Sequence, residues 1–562
     1  MRRTYALEEH HSETLEDAKA LVGGKAASLG VMVRELGLPV PPGFAITTAT
    51  CGAFLSDGWP ADLDEELRQR MTEIEAKAGR RFGDSADPLL VSVRSGAPTS
   101  MPGMMDTILN LGLNEATTSG LARVAGSDAF ARACHARLGA SFRSIVGAEV
   151  PEDPWWQLRL AIEAVFRSWN SDRAVTYRRR EGIPDDLGTG VTVQAMVFGN
   201  RGPTSATGVV FTRNPATGEP HLYGDILFNA QGEDVVAGTH DTEPIGALDE
   251  RMPALAAELR DYADRLERHH ADLCDIEFTI EDGRLWMLQV RVGKRSPQAA
   301  LRIAADMAED PSFPLTRTEA VARVLPLLAN PPRIAIARAD HPEPLATGLP
   351  ASPGVASGPI ATSPEAAVQA AEHGRPAVLV RAETSPDDVH GMAKAVGILT
   401  SRGGLASHAA VVARGWGIPA VVGTTAVEVR DGQLIVAGRS LREGDVITID
   451  GSTGAVFEGV VEGSTRIVPE AAVLQAWARE LGIDVGDVGP ASEQPTDARP
   501  GELVTPEACI RVLAVKGLAP LESLAAVWSS TVEDLQPILD GLVQKGLLVT
   551  TAGAYKLTPS GT

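Results

Sequence analysis

One histidine of this chain stands among residues that could support phosphoryl transfer. His408 follows Gly403 and Gly404 and precedes small apolar residues in the segment GGLASHAAVVARG. The glycines allow a tight turn, Ser407 suits a helix N-cap, and Gly415 suits the helix end. Backbone N–H groups at a helix N-terminus can stabilise a phosphoryl group, and a neutral imidazole is a competent nucleophile near pH 7. The segment therefore indicates a nucleophilic histidine, although a packing or capping histidine has the same local pattern.

Two basic side chains in the first hundred residues could bind phosphate oxygens. Lys25 lies in GGKAAS, whose glycines let the backbone approach an anion, and Arg94 ends an apolar strand in VSVRSG. A solvated lysine and a strand-end ion pair are the alternative interpretations. The following segment, TSMPGMMDT, is a candidate loop over a triphosphate. Its candidate nucleotide-binding residues are Thr99, Ser100, Gly103 and Asp106.

A predicted β-hairpin in DIEFTIEDGRLWMLQVR gathers oxygen ligands on one face. If its loop is the three residues 282–284, Glu277 lies opposite Gln289 and Asp275 lies opposite Arg291. The other face is apolar and is predicted to pack inward through Ile276, Phe278, Leu288 and Val290. Oxygen ligands beside an arginine suit a divalent cation next to phosphate, whereas an exposed hairpin with surface charges is the alternative.

The composition fits a multidomain globular chain that could hold these residues in place. An apolar fraction of 44% and a charged fraction of 22% are ordinary, and 562 residues exceed a single core. The net charge of −22 argues against a nucleic-acid surface and against binding to anionic lipid. Four separated cysteines without a CxxC pair fit reduced thiols. No stretch of about 18 apolar residues is present, so neither export nor membrane spanning is predicted, and we expect a cytoplasmic protein.

Composition shifts divide the chain into five parts. Strand-like segments such as PLLVSVRSG alternate with helix-like segments such as DPWWQLRLAIEAVFRSWN before the first linker. Three helical segments and a hairpin-like end make the last part resemble a winged-helix module. The predicted parts are an α/β or α+β unit at 1–328, a proline-rich linker at 329–347, a compact α/β unit at 348–462, a polar linker at 463–502 and the winged-helix-like module at 503–562.

The segment LTSRGGLASHAAVVARG resembles the swivelling phosphohistidine domain of the pyruvate phosphate dikinase family of PEP-utilising enzymes. PASPGVASGPI and VLVRAETSPDDVHGM resemble the same domain, and LVGGKAASLG, VSVRSGAPTSMPGMMDT and FTRNPATGE resemble the nucleotide-binding half of the dikinase. The resemblance implies an ATP-grasp domain followed by a mobile α/β domain in which His408 carries a phosphoryl group. Ala406 departs from the family, which usually has threonine there, so regulation by phosphorylation of that residue is not expected.

The resemblance also implies roles for three residues of the hairpin. Glu277 and Gln289 are expected to hold nucleotide-bound Mg²⁺, and Arg291 is expected to contact phosphate. Lys25 and Arg94 would help to neutralise the triphosphate. ATP, with phosphate as co-substrate, would phosphorylate His408 and yield AMP and pyrophosphate.

The resemblance does not identify the phosphoryl acceptor, because the acceptor-binding barrel of the family is not recognised in this sequence. About 100 residues follow position 462, against roughly 250 in an average (β/α)₈ barrel, and Cys509 lies in a helical pattern unlike the barrel's catalytic cysteine segment. We therefore expect a short form without the C-terminal PEP- and pyruvate-binding TIM barrel. It would pass the phosphoryl group to pyruvate or another acceptor, held by a separate subunit or present as a small molecule. A homo-oligomer is compatible with the sequence.

Two other functions are compatible with the residues. The chain could be an ATP-sensing regulatory or docking protein that acts through the module at 503–562. That module has few basic residues, so a protein partner is expected rather than nucleic acid. An inactive remnant is the other alternative. The joint presence of six charged or polar site residues argues against it, because each is costly to keep in a cleft without its ligand: Lys25, Arg94, Glu277, Gln289, Arg291 and His408.

Overall fold

The computed structural model describes seventeen stretches of the chain. They are residues 2–12, 14–99, 101, 105–236, 242–329, 331–337, 343–385, 388–405, 407–430, 432–436, 438–461, 463–483, 485, 518–520, 532–544, 548–551 and 554–557. Within these stretches, no helix combines the length and the apolar character needed to cross a bilayer. Cys51, Cys134 and Cys274 are buried free thiols, and Cys509 lies outside the described residues.

The first 329 residues contain twelve described strands and thirteen described α-helices. The strands are β1 (Thr4–Ala6), β2 (Gly43–Ile46), β3 (Arg81–Phe82), β4 (Pro88–Leu89), β5 (Val91–Gly96), β6 (Thr107–Leu111), β7 (Gly190–Ala195), β8 (Ala206–Phe211), β9 (Tyr223–Phe228), β10 (Glu243–Pro244), β11 (Cys274–Glu281) and β12 (Arg284–Val292). The helices are α1 (Leu15–Val22), α2 (Gly24–Arg34), α3 (Thr48–Asp57), α4 (Leu63–Ala78), α5 (Glu115–Ala125), α6 (Asp128–Ser141), α7 (Pro154–Ser168), α8 (Asp172–Glu181), α9 (Gly232–Val236), α10 (Ala247–Arg251), α11 (Pro253–His270), α12 (Pro297–Glu309) and α13 (Arg317–Ala329). A π-helical turn at Phe142–Val146 and a 3₁₀ turn at Asp185–Leu187 complete this part.

Two five-stranded antiparallel sheets form the framework of this part. The first has the order β1-β2-β7-β5-β6 and the second has the order β10-β9-β8-β11-β12. Helix α7 packs on β5 and β6 of the first sheet, while α2 contacts both the first sheet and β12 of the second. Helix α7 begins where Asp153 caps it and Pro154 occupies its first turn, and its apolar face buries Ile162 and Phe166. Because α2 contacts both sheets, it fixes the space between them.

Residues 346–458 form an eight-stranded mixed sheet with three helices and a small separate sheet. The strands are β14 (Ala346–Thr347), β15 (Leu349–Ser352), β16 (Val355–Ala361), β17 (Val378–Arg381), β18 (Gly397–Thr400), β19 (Ala420–Val422), β20 (Val427–Arg430), β21 (Gln433–Val436), β22 (Arg439–Arg442), β23 (Val446–Asp450) and β24 (Ala455–Glu458). The helices are α14 (Pro364–Glu372), α15 (Val389–Met392) and α16 (His408–Trp416). The order is β14-β24-β23-β16-β17-β18-β19-β15, with β16 to β19 parallel and β20-β21-β22 apart. The chain is therefore a multidomain α/β protein, as predicted.

The two predicted linkers contain regular structure because they pair with each other. A strand in the first, β13 (Arg333–Ala337), pairs antiparallel with β25 (Gly463–Ile467) in the second. Helix α17 (Pro469–Glu480) follows, and its Leu474 and Trp477 pack in one cluster with residues of α12 and α13. Residues 463–480 of the predicted polar linker at 463–502 therefore contain a strand and a helix, and β25 pairs with a strand that is far away in sequence.

The described part of the C-terminal region contains one helix and one small sheet. These are β26 (Leu518–Pro520), α18 (Val532–Gln544), β27 (Leu548–Thr551) and β28 (Ala554–Leu557), with the strand order β26-β28-β27. Leu535, Leu539 and Leu542 bury one face of α18. The segments predicted as the two preceding helices lie outside the described residues. The winged-helix assignment for 503–562 therefore stays a prediction.

Candidate active site

A cavity of about 810 Å³ lies between the two antiparallel sheets and receives most of the predicted nucleotide-binding residues. Helix α2 contributes its first turn, the first sheet contributes the end of β5, and the second sheet contributes the β11–β12 hairpin. The predicted residues that line the cavity are Lys25, Arg94, Thr99, Glu277, Gln289 and Arg291. The structure thus brings six of the predicted side chains into one cleft, which is the geometric requirement for a shared ligand.

Glycine at the start of α2 lets Lys25 reach the cavity. Gly23 has φ 83°, and a Cβ there would stand 1.6 Å from the carbonyl oxygen of Gly96. Only glycine permits this close contact between α2 and the end of β5. Burial, together with the positive charge of Arg94, lowers the pKa of Lys25 to about 7, although Glu277 opposes the shift. Lys25 therefore changes charge in the pH range where enzymes work.

This low pKa predicts a pH-dependent nucleotide affinity. Phosphate favours protonated Lys25, so above pH 7 binding must take up a proton, and the affinity should fall by up to about tenfold per pH unit. Below pH 7 the lysine is already charged and contributes no slope. Calorimetric titration with an ATP analogue from pH 6 to pH 9 measures this. Lys25→Met should remove the slope, whereas Lys19→Met, at a cavity lysine paired with Glu16, should keep it; an unchanged slope in Lys25→Met contradicts the assignment.

The polar residues of the hairpin pair as predicted, although the turn is one residue shorter than predicted and a bulge makes up the difference. The turn is the two-residue pair Asp282 (φ 49°) and Gly283 (φ 76°), since Glu281 pairs with Arg284. A bulge next to Glu277 then shifts the register by one residue. Asp275 opposite Arg291 and Glu277 opposite Gln289 are therefore confirmed.

The bulge also changes which apolar residues face the core. Ile276, Phe278 and Val290 are buried as predicted, and Phe278 lies over Gly208, where a Cβ would stand 2.6 Å from its ring. The prediction that Leu288 packs inward is wrong. Leu288 lines the cavity instead, and Met287 takes the buried position.

The residues that pair with the polar face of the hairpin form two rows across the second sheet. In-register neighbours present their side chains on the same face. One row across β12, β11, β8 and β9 consists of Arg291, Asp275, Phe211 and Tyr223. The adjacent row consists of Gln289, Glu277, Val209 and Asp225. The same sheet face therefore has cavity residues on β11 and β12 and a second pair of polar residues, Tyr223 and Asp225, on β9.

Two ion pairs hold the charged residues of the cleft. Arg94 Nη2 lies 3.2 Å from Glu277 Oε2, and Arg291 Nε lies 2.7 Å from Asp275 Oδ2. Burial alone would raise the pKa of Glu277, but the surrounding cations outweigh it and the pKa is lowered. Burial raises the pKa of Asp275 despite Arg291. Glu277 is therefore ionised at neutral pH and provides a stable negative charge among cations.

The oxygen atoms at Glu277 and Gln289 suit a hard divalent cation. Glu277 uses Oε2 for Arg94, which leaves Oε1 without a hydrogen bond to any described residue. Gln289 lies directly opposite on the neighbouring strand. Among the described residues, no group of three or more His, Cys, Asp or Glu side chains could hold a metal ion alone. A cation here would need additional oxygen ligands such as phosphates, which is how Mg²⁺ usually binds beside a nucleotide.

The predicted loop over the triphosphate is only partly placed at the cavity. Thr99 is exposed and lines the cavity. Asp106 does not line it and instead pairs with Arg173. Ser100, Gly103 and Ala406 lie outside the described residues. A nucleotide-binding role for Asp106, Ser100 and Gly103 stays a prediction.

His408 begins helix α16 and is oriented by a hydroxyl from another segment. Its Nδ1 lies 3.2 Å from Thr384 Oγ1. Burial lowers the pKa of His408, against a smaller opposing effect of Asp388, so the imidazole is neutral at pH 7. Ser407 occupies the N-cap without a side-chain cap bond, and its Oγ is buried without a partner among the described residues. Gly417 rather than Gly415 ends the helix.

Helix α16 packs on the sheet face that carries the hairpin residues. Val411 of α16 lines the cavity, although His408 does not. A Cβ on Gly404 would stand 2.3 Å from Asp225 Oδ2, and Tyr223 donates a hydrogen bond to the Pro350 carbonyl at 3.0 Å. The histidine segment is thus docked beside the cleft in this structure.

This close approach predicts a docking defect in Gly404→Ala. The added methyl overlaps the buried Asp225 carboxylate, so the docked arrangement must shift. A displacement of about 1 Å can cost up to about 10²-fold in rate, so phosphorylation of His408 should slow by roughly 10- to 100-fold. Single-turnover labelling with ATP measures this rate. The matched control is Gly415→Ala on α16, where the nearest atom lies at an ordinary 3.7 Å; equal rates in both variants would contradict the prediction.

Sequence reasoning missed Thr384, which the structure places against His408. Asp275 was already predicted on the polar face of the hairpin, opposite Arg291, and the structure has it there. Thr384 gave no such signal, because its contact with the first residue of α16 is made between segments that are separate in sequence.

Comparisons with known proteins give matches to two family models and to several curated relatives. Residues 19–59, 53–247 and 241–311 match the family described as pyruvate phosphate dikinase, AMP/ATP-binding domain, and residues 373–454 match the PEP-utilising enzyme, mobile domain. The pyruvate, phosphate dikinase of Rhizobium meliloti (strain 1021) is 47% identical over 507 residues, which cover 78% of this chain and 56% of the relative. That of Clostridium symbiosum is 42% identical over 498 residues, which cover 79% and 56%. The chain therefore spans about half the length of these relatives.

Proposed function

Since this chain belongs to the pyruvate phosphate dikinase family, we propose that it is an ATP-dependent phosphotransferase in which His408 carries the phosphoryl group. ATP, phosphate and the imidazole would give AMP, pyrophosphate and phosphohistidine. The observation that carries this proposal is the docking of α16 on the same sheet face as Glu277, Gln289 and Arg291. A histidine that takes a phosphoryl group from a nucleotide must come close to it, and α16 and the cleft residues contact the same face of the second sheet.

The cleft residues would act mainly by charge and position. Lys25, Arg94 and Arg291 would neutralise and orient the triphosphate, as phosphoryl transfer requires. Mg²⁺, held by Glu277 and Gln289 together with the nucleotide, would supply further charge neutralisation. Thr99 would contact the phosphates from the cavity rim.

The contact with Thr384 would set the tautomer of the nucleophile. A neutral imidazole has one N–H, and placing it on Nδ1 lets it donate to Thr384 Oγ1. The lone pair on Nε2 is then available to accept the phosphoryl group. The low pKa of His408 keeps the ring neutral for this step.

We propose that residues 1–328 form the nucleotide-binding ATP-grasp domain and that residues 348–462 form the mobile carrier domain. After phosphorylation the carrier domain would swing away and deliver the group to pyruvate or another acceptor, on a separate protein or as a small molecule. Pyruvate is favoured among acceptors because the curated relatives are named pyruvate, phosphate dikinases.

Labelled nucleotide tests the proposal directly. Incubation with Mg²⁺, phosphate and ATP labelled at either the β- or the γ-phosphate should yield AMP. One of the two labels should remain on His408 in acid-labile form, and the other should leave in pyrophosphate. Absence of both products would reject the enzymatic function. That result would favour the alternative ATP-sensing or docking role, which rests on the module at 503–562.

A further inference from the structure

The docked helix α16 buries a guanidinium whose hydrogen bonds are incomplete. Arg414 is fully buried, and its Nη1 donates to the Ala351 carbonyl at 3.2 Å. Its Nε and Nη2 have no partner among the described residues. Burial lowers the pKa of Arg414 to about 10. A buried cation is costly unless negative charge lies nearby, so the docked position of α16 depends on what Arg414 faces.

Arg414 lies over the middle of the row that runs through Arg291, Asp275, Phe211 and Tyr223 on the second sheet. The guanidinium carbon lies 5.2 Å from the centre of the Phe211 ring. Phe211 pairs directly with Asp275 on one side and with Tyr223 on the other. The negative charges of Asp275 and Asp225 both stabilise protonated Arg414. The cation of the carrier helix therefore lies beside a carboxylate of the nucleotide cleft.

Only one of the two carboxylate oxygens of Asp275 accepts a hydrogen bond from a described residue. Its Oδ2 accepts from Arg291 at 2.7 Å. Its Oδ1 is buried and has no partner among the described residues. The Asp275 carboxylate thus lies between Arg291, which lines the cavity, and Arg414 of α16. One of its oxygens is bonded to Arg291, and the other has no partner among the described residues.

We propose that Asp275 couples the nucleotide cleft to the docking of the carrier helix by dividing its charge between Arg291 and Arg414. Phosphate in the cleft draws Arg291 away, and the carboxylate then pairs with Arg414 and holds α16 on the sheet. Loss of the nucleotide returns Arg291 to Asp275 and loosens the docked helix. Arg414 is a positioning residue in this arrangement, because it does not line the cavity. The inference rests on the proposed function only in requiring that a nucleotide binds here.

Coupling is reciprocal, so Arg414 should affect nucleotide affinity from outside the cavity. The probe is α,β-methylene-ATP with Mg²⁺, which cannot release AMP, titrated calorimetrically into the full chain. Arg414→Met keeps the aliphatic bulk and removes the charge, and it should raise the Kd by about tenfold. In an Asp275→Asn background the same substitution should change the Kd less than about twofold, since the shared carboxylate is gone. Arg439→Met, at an exposed arginine of the same domain, is the control and should leave the Kd unchanged.

Hydrogen exchange distinguishes this coupling from a purely structural role of Arg414, because a structural role would not make the protection of α16 depend on the nucleotide analogue. In the wild-type chain the analogue should protect the amides of both β11–β12 and α16, and in Arg414→Met it should protect only β11–β12. An equal Kd for Arg414→Met and wild type, an equal effect in both backgrounds, or α16 protection independent of the analogue would each overturn the coupling alone. If the analogue neither binds nor protects β11–β12, the coupling and the nucleotide-binding function fall together.

Discussion

Replacing His408 by asparagine is expected to lower the rate of AMP formation from ATP by at least about 10³-fold, the scale seen when a nucleophile is removed. Asparagine can still donate a hydrogen bond to Thr384 Oγ1, so the segment keeps its local contact, but it has no lone pair comparable to that of Nε2. The measurement is the rate of release of labelled AMP in the presence of phosphate and Mg²⁺. Label should also disappear from the protein.

The matched control for this variant is His373→Asn. His373 is exposed in the same part of the chain, and its Nδ1 contacts only the local Gln369 carbonyl at 2.6 Å among the contacts described. AMP formation should be unchanged in this control. A His408→Asn protein that still converts ATP to AMP at the original rate would remove the basis for a phosphohistidine intermediate.

Replacing Glu277 by glutamine is expected to reduce the rate of His408 phosphorylation by about 10²- to 10³-fold, since a preorganised charge in a closed site has effects of this size. The carboxylate has a lowered pKa and lies among Arg94, Lys25 and Arg291, so the substitution removes a negative charge from a group of cations and leaves Arg94 without its ion pair. It also replaces a charged oxygen ligand for the metal by a neutral one. The Mg²⁺ concentration needed for half-maximal rate should therefore rise.

Titration of the rate with Mg²⁺ separates this effect from a general loss of structure. Glu281→Gln changes the same residue type on the same strand, at a half-buried position paired with Arg201 and outside the cavity lining. That control should keep both the rate and the Mg²⁺ requirement. If Glu277→Gln retains the wild-type requirement for Mg²⁺, Glu277 is not a metal ligand.

Much of the cleft could be predicted because its residues follow local rules. The alternation of polar and apolar residues placed Glu277 on one strand face and Ile276 on the other, and the structure has both there. The turn was predicted one residue too long, and an unpredicted bulge restored the pairing of Glu277 with Gln289. Local alternation determines the face of a residue, whereas a bulge depends on the packing of Met287 and Leu288 against different surroundings.

The linkers show where local rules fail. The segment at 463–480 was included in a predicted polar linker, yet β25 pairs with β13 and α17 packs with α12 and α13. Neither partner is close in sequence, so no period within the segment could reveal the contact.

The sequence by itself determined which chemical groups this protein has, their alternation along each strand and the helix that begins at His408. Only the tertiary structure decided that Asp275 lies between Arg291 and Arg414, and that α16 rests on the face that carries the cleft. The physical reason is that charge and shape act through space. Residue types and periods are local properties, but the electrostatic balance of a buried carboxylate depends on every charge that folding brings around it.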